Sequence, residues 1–560
     1  MSSNDQSGAS KVEIKFKQGN PLSDTTYPGL NHHVTVENSM RIERDIPVPM
    51  RDGTVLRIDV FRPDGVKENL PTIMSWNPYG KHGEVPWSTP LFQQFNLGFD
   101  TSKLSKYTAF EFPDPEWWCA HGYAVVFADQ RGVWGSEGDA TYWTQQEALD
   151  GHDTIEWLAA QSWSNGKVGL AGCSNLAWTQ WYIAASRPPH LAAINPWEGV
   201  SDFYREFVFH GGIPETNFSV GVWHHNASFS DGLVEDIPTM AADHPLLDEY
   251  WESKGATLED IEVPAFVVAS WSDHGLHTRG SLEGFKKISS NQKWLLVHGG
   301  KKWAAQYADE NLQRQLAFFD KFVKGVQTTD VDDWPPVVIE VRDSLKDGGT
   351  FRTENEWPLK RTQFQQLHLG PTGNLLPEPS PEGQTVSYDS ADGSAVFDLE
   401  FSHDTEITGN MALKLWFEAP DSDDADLFVA IEKLDASGAE VPFHYYSVQE
   451  DGHVALGWLR ASHRELDLSR STPEQPVHTH SNLQPLPAGE PTLLDIEILA
   501  SSTRFSAGET LRVLIQGRDV NTYPPMTPTL AHNDSVNKGR HVIHVGEDHD
   551  SYLLVPVVPS

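Results

Sequence analysis

Residues 167–190 read KVGLAGCSNLAWTQWYIAASRPPH. A short apolar run, VGLAG, meets Ser174, and apolar residues at helical spacing follow until Pro188 and Pro189 stop them. A Gly-x-Ser step between a strand and a helix is the arrangement that holds a nucleophilic serine on a sharp turn. A serine at the same place can equally cap the helix. Gly172 stands two residues before Ser174, but position 176 is Leu176 where a second glycine is usual, with Ala177 the nearest small residue. Taken alone, the stretch leaves both readings open.

Its surroundings narrow the choice. LPTIMSWNPYG and GYAVVFADQRG upstream, and LAAINPWEG, VPAFVVASWSD and KWLLVHGG downstream, are apolar runs without polar alternation. Such runs are strands buried on both faces, as in a parallel sheet. Between them lie helical stretches at TQQEALDGHDTIEWLAAQ and SLEGFKKI, and QYADENLQRQLAFFDKFVKG closes the series. Strand and helix in alternation predict an α/β domain. The segment RIERDIPVPMRDGTVLRIDVFRPDG in front of it reads as a β-hairpin about the RDGT turn. Residues 201–260 break the alternation with aromatic, helical sequence and no evident strand, the place for a cap inserted over a sheet edge. After DDWPPVVIEVRD, short alternating strands such as MALKLWFEA, LFVAIEKL and TLRVLIQG predict an all-β sandwich or jelly roll. The expected layout is a polar arm over 1–40, an α/β domain over 41–330 with a cap at 201–260, and a β-sandwich over 335–560.

Bulk composition sets limits on function. The 560 residues carry a formal charge of −38, which disfavours nucleic acid and anionic membranes as partners and favours solubility. Hydrophobic residues make up 39% and aromatics 11%, enough for packed interiors. Two cysteines, Cys119 and Cys173, allow neither a disulfide framework nor a cysteine-based zinc cluster. The polar N-terminus lacks the apolar core of a secretory leader, and no apolar run spans a bilayer. A cytoplasmic protein acting on a small molecule is expected, as a monomer or homo-oligomer. DSDDADL lacks the glycine and distal glutamate of a calcium loop. His478 and His480 in HTH lack a third ligand, and the paired histidines of WHHN diverge. No metal or cofactor is expected.

The order of candidate groups favours catalysis. Asp273 directly follows one buried run and His298 another, so nucleophile, acid and base candidates come in the order Ser174, Asp273, His298, each at a strand end. His274 and His277, close to the acid, are competing bases. Trp223, Trp251, Phe207 and Phe209 in the cap are candidates for an apolar acyl pocket.

GLAGCSNLAWTQWYIAASRPPHLAAINPWEG, DQRGVWGSEG, DTIEWLAAQSWSNGKVG, SWSDHGLHTRGSLEGF and ALGWLRASHRELD together resemble the serine-hydrolase family of cocaine esterase, α-amino-acid ester hydrolases and Xaa-Pro dipeptidyl-peptidases. The resemblance covers most of the chain. It implies an α/β-hydrolase fold with a helical cap and a C-terminal jelly roll, and ester or amide hydrolysis through an acyl-enzyme. It implies Ser174 as nucleophile, Asp273 as the acid, and Tyr79 of NPYG with the Asn175 amide as the oxyanion hole. Two departures stand out. The residue after the nucleophile, usually tyrosine, is Asn175. The usual Gly-Pro-Trp-x-His loop reads HGGKKW, with His298 at its start and Lys302 about where the histidine is expected. An amino-ester hydrolase, a dipeptidyl-peptidase, an acyltransferase or a binding protein with a degraded triad are the competing functions.

Overall fold

The computed structural model describes residues 12–559 except 21–27, 82–86, 88, 228–229 and 525–526; Met74, Val126 and Val267 mark the centre of its main sheet. The strands are β1 (His33–Glu37), β2 (Met40–Pro49), β3 (Val55–Pro63), β4 (Leu70–Asn77), β5 (Ala124–Asp129), β6 (Ser164–Cys173), β7 (Leu191–Trp197), β8 (Ala265–Ser270), β9 (Lys293–His298) and β10 (Val337–Ser344). In space they run β1-β2-β3-β5-β4-β6-β7-β8-β9-β10. The pairs from β5 to β10 are parallel, whereas β1, β2, β3 and β5 pair antiparallel. Every residue of β4, β5 and β8 is buried, which is why these strands read as unbroken apolar runs.

The helices are α1 (Gln145–Ala159), α2 (Asn175–Ala185), α3 (Phe218–Ala227), α4 (Ile237–Asp243), α5 (Glu249–Glu252), α6 (Thr278–Lys287), α7 (Lys302–Gln306) and α8 (Asp309–Phe319), of which α1, α2 and α6 pack on the strands of the main sheet. Helix α2 is almost wholly buried against β4, β6 and β7, so it is apolar all round rather than amphipathic. This is the mostly parallel α/β-hydrolase sheet with an inserted cap.

Two expectations need correction. The N-terminal segment is not simply a polar arm: Phe16–Gln18 pairs with Leu233–Glu235, and β1 extends the main sheet. The alternation in HVTVE, with Val34 and Val36 on one side, suits an edge strand. The cap contains strands as well as helices, since Phe209–His210 pairs with Ile213–Pro214 around Gly211 and Gly212. Both glycines have positive φ, which that two-residue turn requires. The same segment holds the helices α3, α4 and α5 and the strand Leu233–Glu235.

The C-terminal region is antiparallel β: β11 (Ser394–Glu400), β12 (Thr405–Glu418), β13 (Asp426–Leu434), β14 (Ala455–Arg460), β15 (Thr492–Phe505), β16 (Thr510–Gln516), β17 (Arg540–Val545) and β18 (Tyr552–Val558). One layer runs β11-β16-β13-β14. In the other, β12 pairs with β15, β17 and β18. Leu413, Leu415, Val429, Ile431, Ile496 and Val513 fill the core of this region. Arg342 of β10 ties the two parts together. It donates to Val454 O at 2.8 Å and Ser501 Oγ at 2.7 Å, and its guanidinium lies over Phe443. Among the described residues, no helix is long and apolar enough to cross a membrane.

Candidate active site

Ser174 lies where β6 passes into α2, with φ 56° and ψ −119°. A non-glycine residue at such φ stores roughly 1–3 kcal/mol of strain. The turn is held from both sides: Ser174 N–H donates to Trp197 O at 3.0 Å, and Ala177 N–H and Trp178 N–H donate to Ser174 O. Gly172, at φ 141°, is the glycine this elbow requires. A Cβ there would come within 2.5 Å of Leu176 Cβ, so Leu176 fits where a second glycine was expected because Gly172 leaves the space. Ser174 makes no side-chain cap to its helix. Its Oγ instead meets His277 Nε2 at 3.2 Å.

The residue on the other side of that histidine is Asp273. Its Oδ2 bonds His277 Nδ1, and both residues are buried. Asp273 begins one helical turn after β8, whose carbonyl accepts from the Leu276 and His277 amides at 3.2 and 3.1 Å. Residues four apart on such a turn share a face. Acid and base therefore stand side by side at the start of α6.

The expectation of His298 as base gives way here. At the end of β9, its Nε2 meets Glu198 Oε1 at 3.0 Å, and it is His277 that holds Ser174. Glu198 ends β7 beside the nucleophile strand, so it captures the imidazole that the strand-end template points toward Ser174. His274 is also excluded as the serine's partner, because its Nε2 meets Ala500 O at 3.0 Å. The DHGLH spacing, which sets Asp273 and His277 four residues apart, is the sequence signal for this pair.

Lys302, N-terminal in α7, fills the space beside the pair. Its Nζ lies 3.6 Å from Asp273 Oδ2 and 3.4 Å from His277 Nδ1, fully buried. Burial alone would lower this ammonium, but Asp273, Glu111 and Glu198 around it raise it. Burial would raise Asp273, yet Lys302 and His277 hold its carboxyl well below the usual carboxylate range. Burial and the Lys302 charge lower His277 to about 4, against the pull of Asp273. Burial pushes Glu111 up to about 7, opposed by Lys302 and by the Trp303 indole N–H at 3.0 Å. Burial likewise raises Glu198, opposed by His298. At neutral pH the arrangement is a neutral imidazole between a hydroxyl and an ionised carboxylate, which can take a proton from serine.

Tyr79 approaches from β4. Asn77 Oδ1 accepts from the Tyr79 and Gly80 amides at 2.6 and 3.0 Å and shapes the loop. Gly80, at φ 87°, packs so close to the Trp134 indole that a Cβ would overlap it. Lys81 beyond it is buried in ion pairs with Asp45 and Asp129 at 2.9 and 2.6 Å, which fixes the loop's far end. The Tyr79 hydroxyl is hydrogen-bonded with Ser174, and burial and Glu111 raise it well above an ordinary phenol. It remains a neutral donor. The Asn175 amide opens α2, where the first helical N–H groups have no intrahelical acceptor. The Asn175 side chain is buried, with neither its Oδ1 nor its Nδ2 partnered.

An aromatic wall runs out from the histidine: Trp178 lies 5.7 Å from His277, Phe207 5.1 Å from Trp178, Phe218 6.1 Å from Phe207, and Tyr446 of the C-terminal part 5.1 Å from Phe218. Of the expected pocket residues, Phe207 belongs to this wall. Phe209 and Trp251 pack on Tyr204 inside the cap, and the side chains of Trp223 and of WHHN lie outside the described residues. His478 and His480 line a cleft with Arg205 and Arg279, and among the described residues no metal-ligand grouping includes them. In DSDDADL, Asp426 holds Arg460 and Asp424 holds Ser462.

Comparison with known proteins agrees with this architecture. Residues 52–233 match the family model of X-Pro dipeptidyl-peptidase (S15 family), and residues 329–554 that of the X-Pro dipeptidyl-peptidase C-terminal non-catalytic domain. The cocaine esterase of Rhodococcus sp. (strain MB1 Bresler) is 26% identical, over 93% of this chain and 100% of the relative. The crystal structure of a CocE/NonD family hydrolase from Staphylococcus aureus superposes with a TM-score of 0.89 at 40% identity, over 97% of this chain and 99% of that one. An α-amino acid ester hydrolase shares the fold, with a TM-score of 0.70 at 18% identity, over 96% of this chain and 100% of that one. With an α/β-hydrolase sheet, a serine at its elbow and this extent of likeness, the chain belongs to the CocE/NonD family of hydrolases.

Proposed function

We propose that the protein is a serine carboxylesterase that cleaves a small organic ester through an acyl-enzyme on Ser174. The observation that carries this reading is the hydrogen-bonded series Ser174–His277–Asp273. His277 Nε2 takes the proton from Ser174 Oγ as the oxygen attacks the ester carbonyl. The Tyr79 hydroxyl and the Asn175 amide donate to the oxyanion. One such donor lowers the barrier by about 3–4 kcal/mol. As the tetrahedral adduct collapses, the imidazolium passes its proton to the departing alkoxide. Water then attacks the acyl carbon, giving its proton to His277, and the acid leaves as Ser174 regains its hydrogen. Asp273 holds the Nε2-acceptor tautomer and stabilises the cation formed in each half. Tyr79, Asn175, Ser174, Asp273 and His277 are the site residues of this proposal.

An ester without an ammonium group suits the pocket better than a peptide N-terminus. Four carboxylates of the cap and its floor are already engaged: Glu206 by Arg279, Glu235 by Lys254, Glu147 by the Trp76 indole and the Trp143 amide, and Glu215 by the amides of Asn217, Phe218 and Ser219. The aromatic wall favours an apolar acyl or leaving group. Comparing nitrophenyl esters with Xaa-Pro amides, together with fluorophosphonate labelling of wild type and Ser174→Ala, tests the reading. Ester turnover and Ser174-dependent labelling are expected. Faster cleavage of Xaa-Pro amides would move the assignment to a peptidase, and labelling that survives Ser174→Ala would remove the nucleophile.

A further inference from the structure

The segment between β13 and β14 leaves the sandwich, forms a hairpin of Phe443–Tyr445 with Gln449–Gly452, and returns. Three potential metal ligands meet at its base: Glu432 on β13, Glu440 before the hairpin and His453 after it, with their ligand atoms within 4.8 Å of one another. They lie far along the chain from Ser174 and take no part in the proposed reaction.

The imidazole is held in one orientation. Asn521 Nδ2 donates to Asp451 O at 2.8 Å and to the Tyr523 hydroxyl at 3.1 Å, which turns Asn521 Oδ1 toward the ring. That oxygen accepts from His453 Nε2 at 2.6 Å, so Nε2 carries a hydrogen and Nδ1 is turned toward the two carboxylates. His453 is 8% exposed, and its buried Nδ1 makes no hydrogen bond. It faces Glu440 Oε1 at 3.3 Å and Glu432 Oε1 at 3.8 Å. Glu432 is also 8% exposed, and among the described residues no N–H or O–H donates to its carboxylate. The nearby Arg512 gives its fork to Asp398, at 2.8 Å for both bonds. An imidazole nitrogen and two carboxylate oxygens, one of the carboxylates half exposed, converge here, and either a proton on Nδ1 or a cation between them offsets their repulsion. Ligand atoms about 2.0–2.2 Å from a zinc ion in tetrahedral arrangement stand about 3.3–3.6 Å apart; His453 Nδ1 lies 3.3 Å from Glu440 Oε1 and 3.8 Å from Glu432 Oε1, so a small closure of the group would fit the ion.

We propose that Glu432, Glu440 and His453 form a divalent-cation site of zinc type, one imidazole and two carboxylates with an open position for water. Its role is structural: it clips the base of the 443–452 hairpin. The hairpin's Tyr446 amide donates to Ser272 O at 2.8 Å, one residue before Asp273, and its Glu450 pairs with Lys301 at 2.7 Å. The clip fixes the element that closes one side of the candidate active site.

The test uses the full-length protein, stripped with chelator and titrated with Zn2+ alone. Metal content after dialysis and the visible spectrum with Co2+ are compared among wild type, Glu440→Gln and His453→Gln. Glu440 is half exposed, so its variant preserves folding even if the His453 variant does not. One Zn2+ more per chain is expected in wild type than in either variant, with affinity reduced roughly tenfold or more in Glu440→Gln. A zinc-dependent rise in melting temperature is also expected in wild type and absent from Glu440→Gln. Equal zinc content in wild type and Glu440→Gln, as from diffuse binding to an acidic surface, overturns the proposal. So does closure of the corner by a proton, seen as an imidazolium signal for His453 that Zn2+ does not displace.

Discussion

Replacing Lys302 by methionine removes the charge beside His277 and Asp273 while keeping the shape. At an effective dielectric of about 20, a charge 3.4 Å from an imidazolium nitrogen opposes it by about 5 kcal/mol. The imidazolium charge is spread over the ring, so about half of this acts on protonation, or 2–3 kcal/mol. One pH unit corresponds to about 1.4 kcal/mol, so the base should protonate about two pH units higher. Wild-type His277, lowered to about 4, keeps the acid limb of kcat/KM near pH 4, and Lys302→Met should move it to about 6. Asp273, Glu111 and Glu198 also lose their shared cation, and an uncompensated buried charge costs about 3–5 kcal/mol. A lower melting temperature at pH 8 should therefore accompany the shift. Lys302→Arg keeps the charge and should leave the limb near its wild-type place. The assay is the pH–rate profile for a nitrophenyl ester from pH 4 to 9. A Lys302→Met profile that superimposes on wild type in a folded enzyme would refute the assignment of the Lys302 charge as a force that, with burial, lowers His277.

His277→Gln should lower kcat by about ten-thousandfold, whereas His298→Gln should retain most of the activity; parallel steady-state kinetics decide between the two histidines. Tyr79→Phe should reduce kcat by about a hundred- to a thousandfold with little change in KM, which acylation kinetics will show. Asn175→Leu should stabilise the fold by about 1–2 kcal/mol by removing two unpartnered buried polar atoms, read by denaturant unfolding. The protein should lose stability as pH falls from about 6.5 to 4. Burial lowers His210, His274 and His478 to about 3, and His277, His463 and His541 to about 4, so the unfolded chain binds more protons in that window. Glu111, Glu147 and Glu206, raised to about 7 chiefly by burial, and the raised Asp150, Glu198, Asp424, Glu432, His453 and His532 act in the opposite sense, while Asp202, Asp273 and Glu283, held low by neighbouring cations, add to the loss at the acid end. A melting temperature that climbs on acidification to pH 5 would contradict this balance.

The parallel sheet was legible because strands buried on both faces cannot afford polar alternation, as Leu70–Asn77 and Ala265–Ser270 illustrate. Ser174 was legible because an elbow needs Gly172 and a helix directly behind it. Asp273 stands out in the same way, because it follows its strand closely. His277 stood only as a competing base because chain order in related folds directs attention to the loop after Lys293–His298, and nothing local in HGGKKW reveals that Glu198 holds His298. Contacts between residues a hundred positions apart leave no mark on spacing. The same holds for Phe16–Gln18, whose strand exists only through its partner at Leu233–Glu235.

With Asp273 and His277 on a single turn of backbone, their mutual alignment is a property of local geometry and survives any rigid displacement of that turn. Tertiary packing then has one gap to maintain, between Ser174 Oγ and His277 Nε2. The connection after β9 contributes a charge in place of a base: Lys302 stands beside that turn, so its position tunes the pair without having to align it.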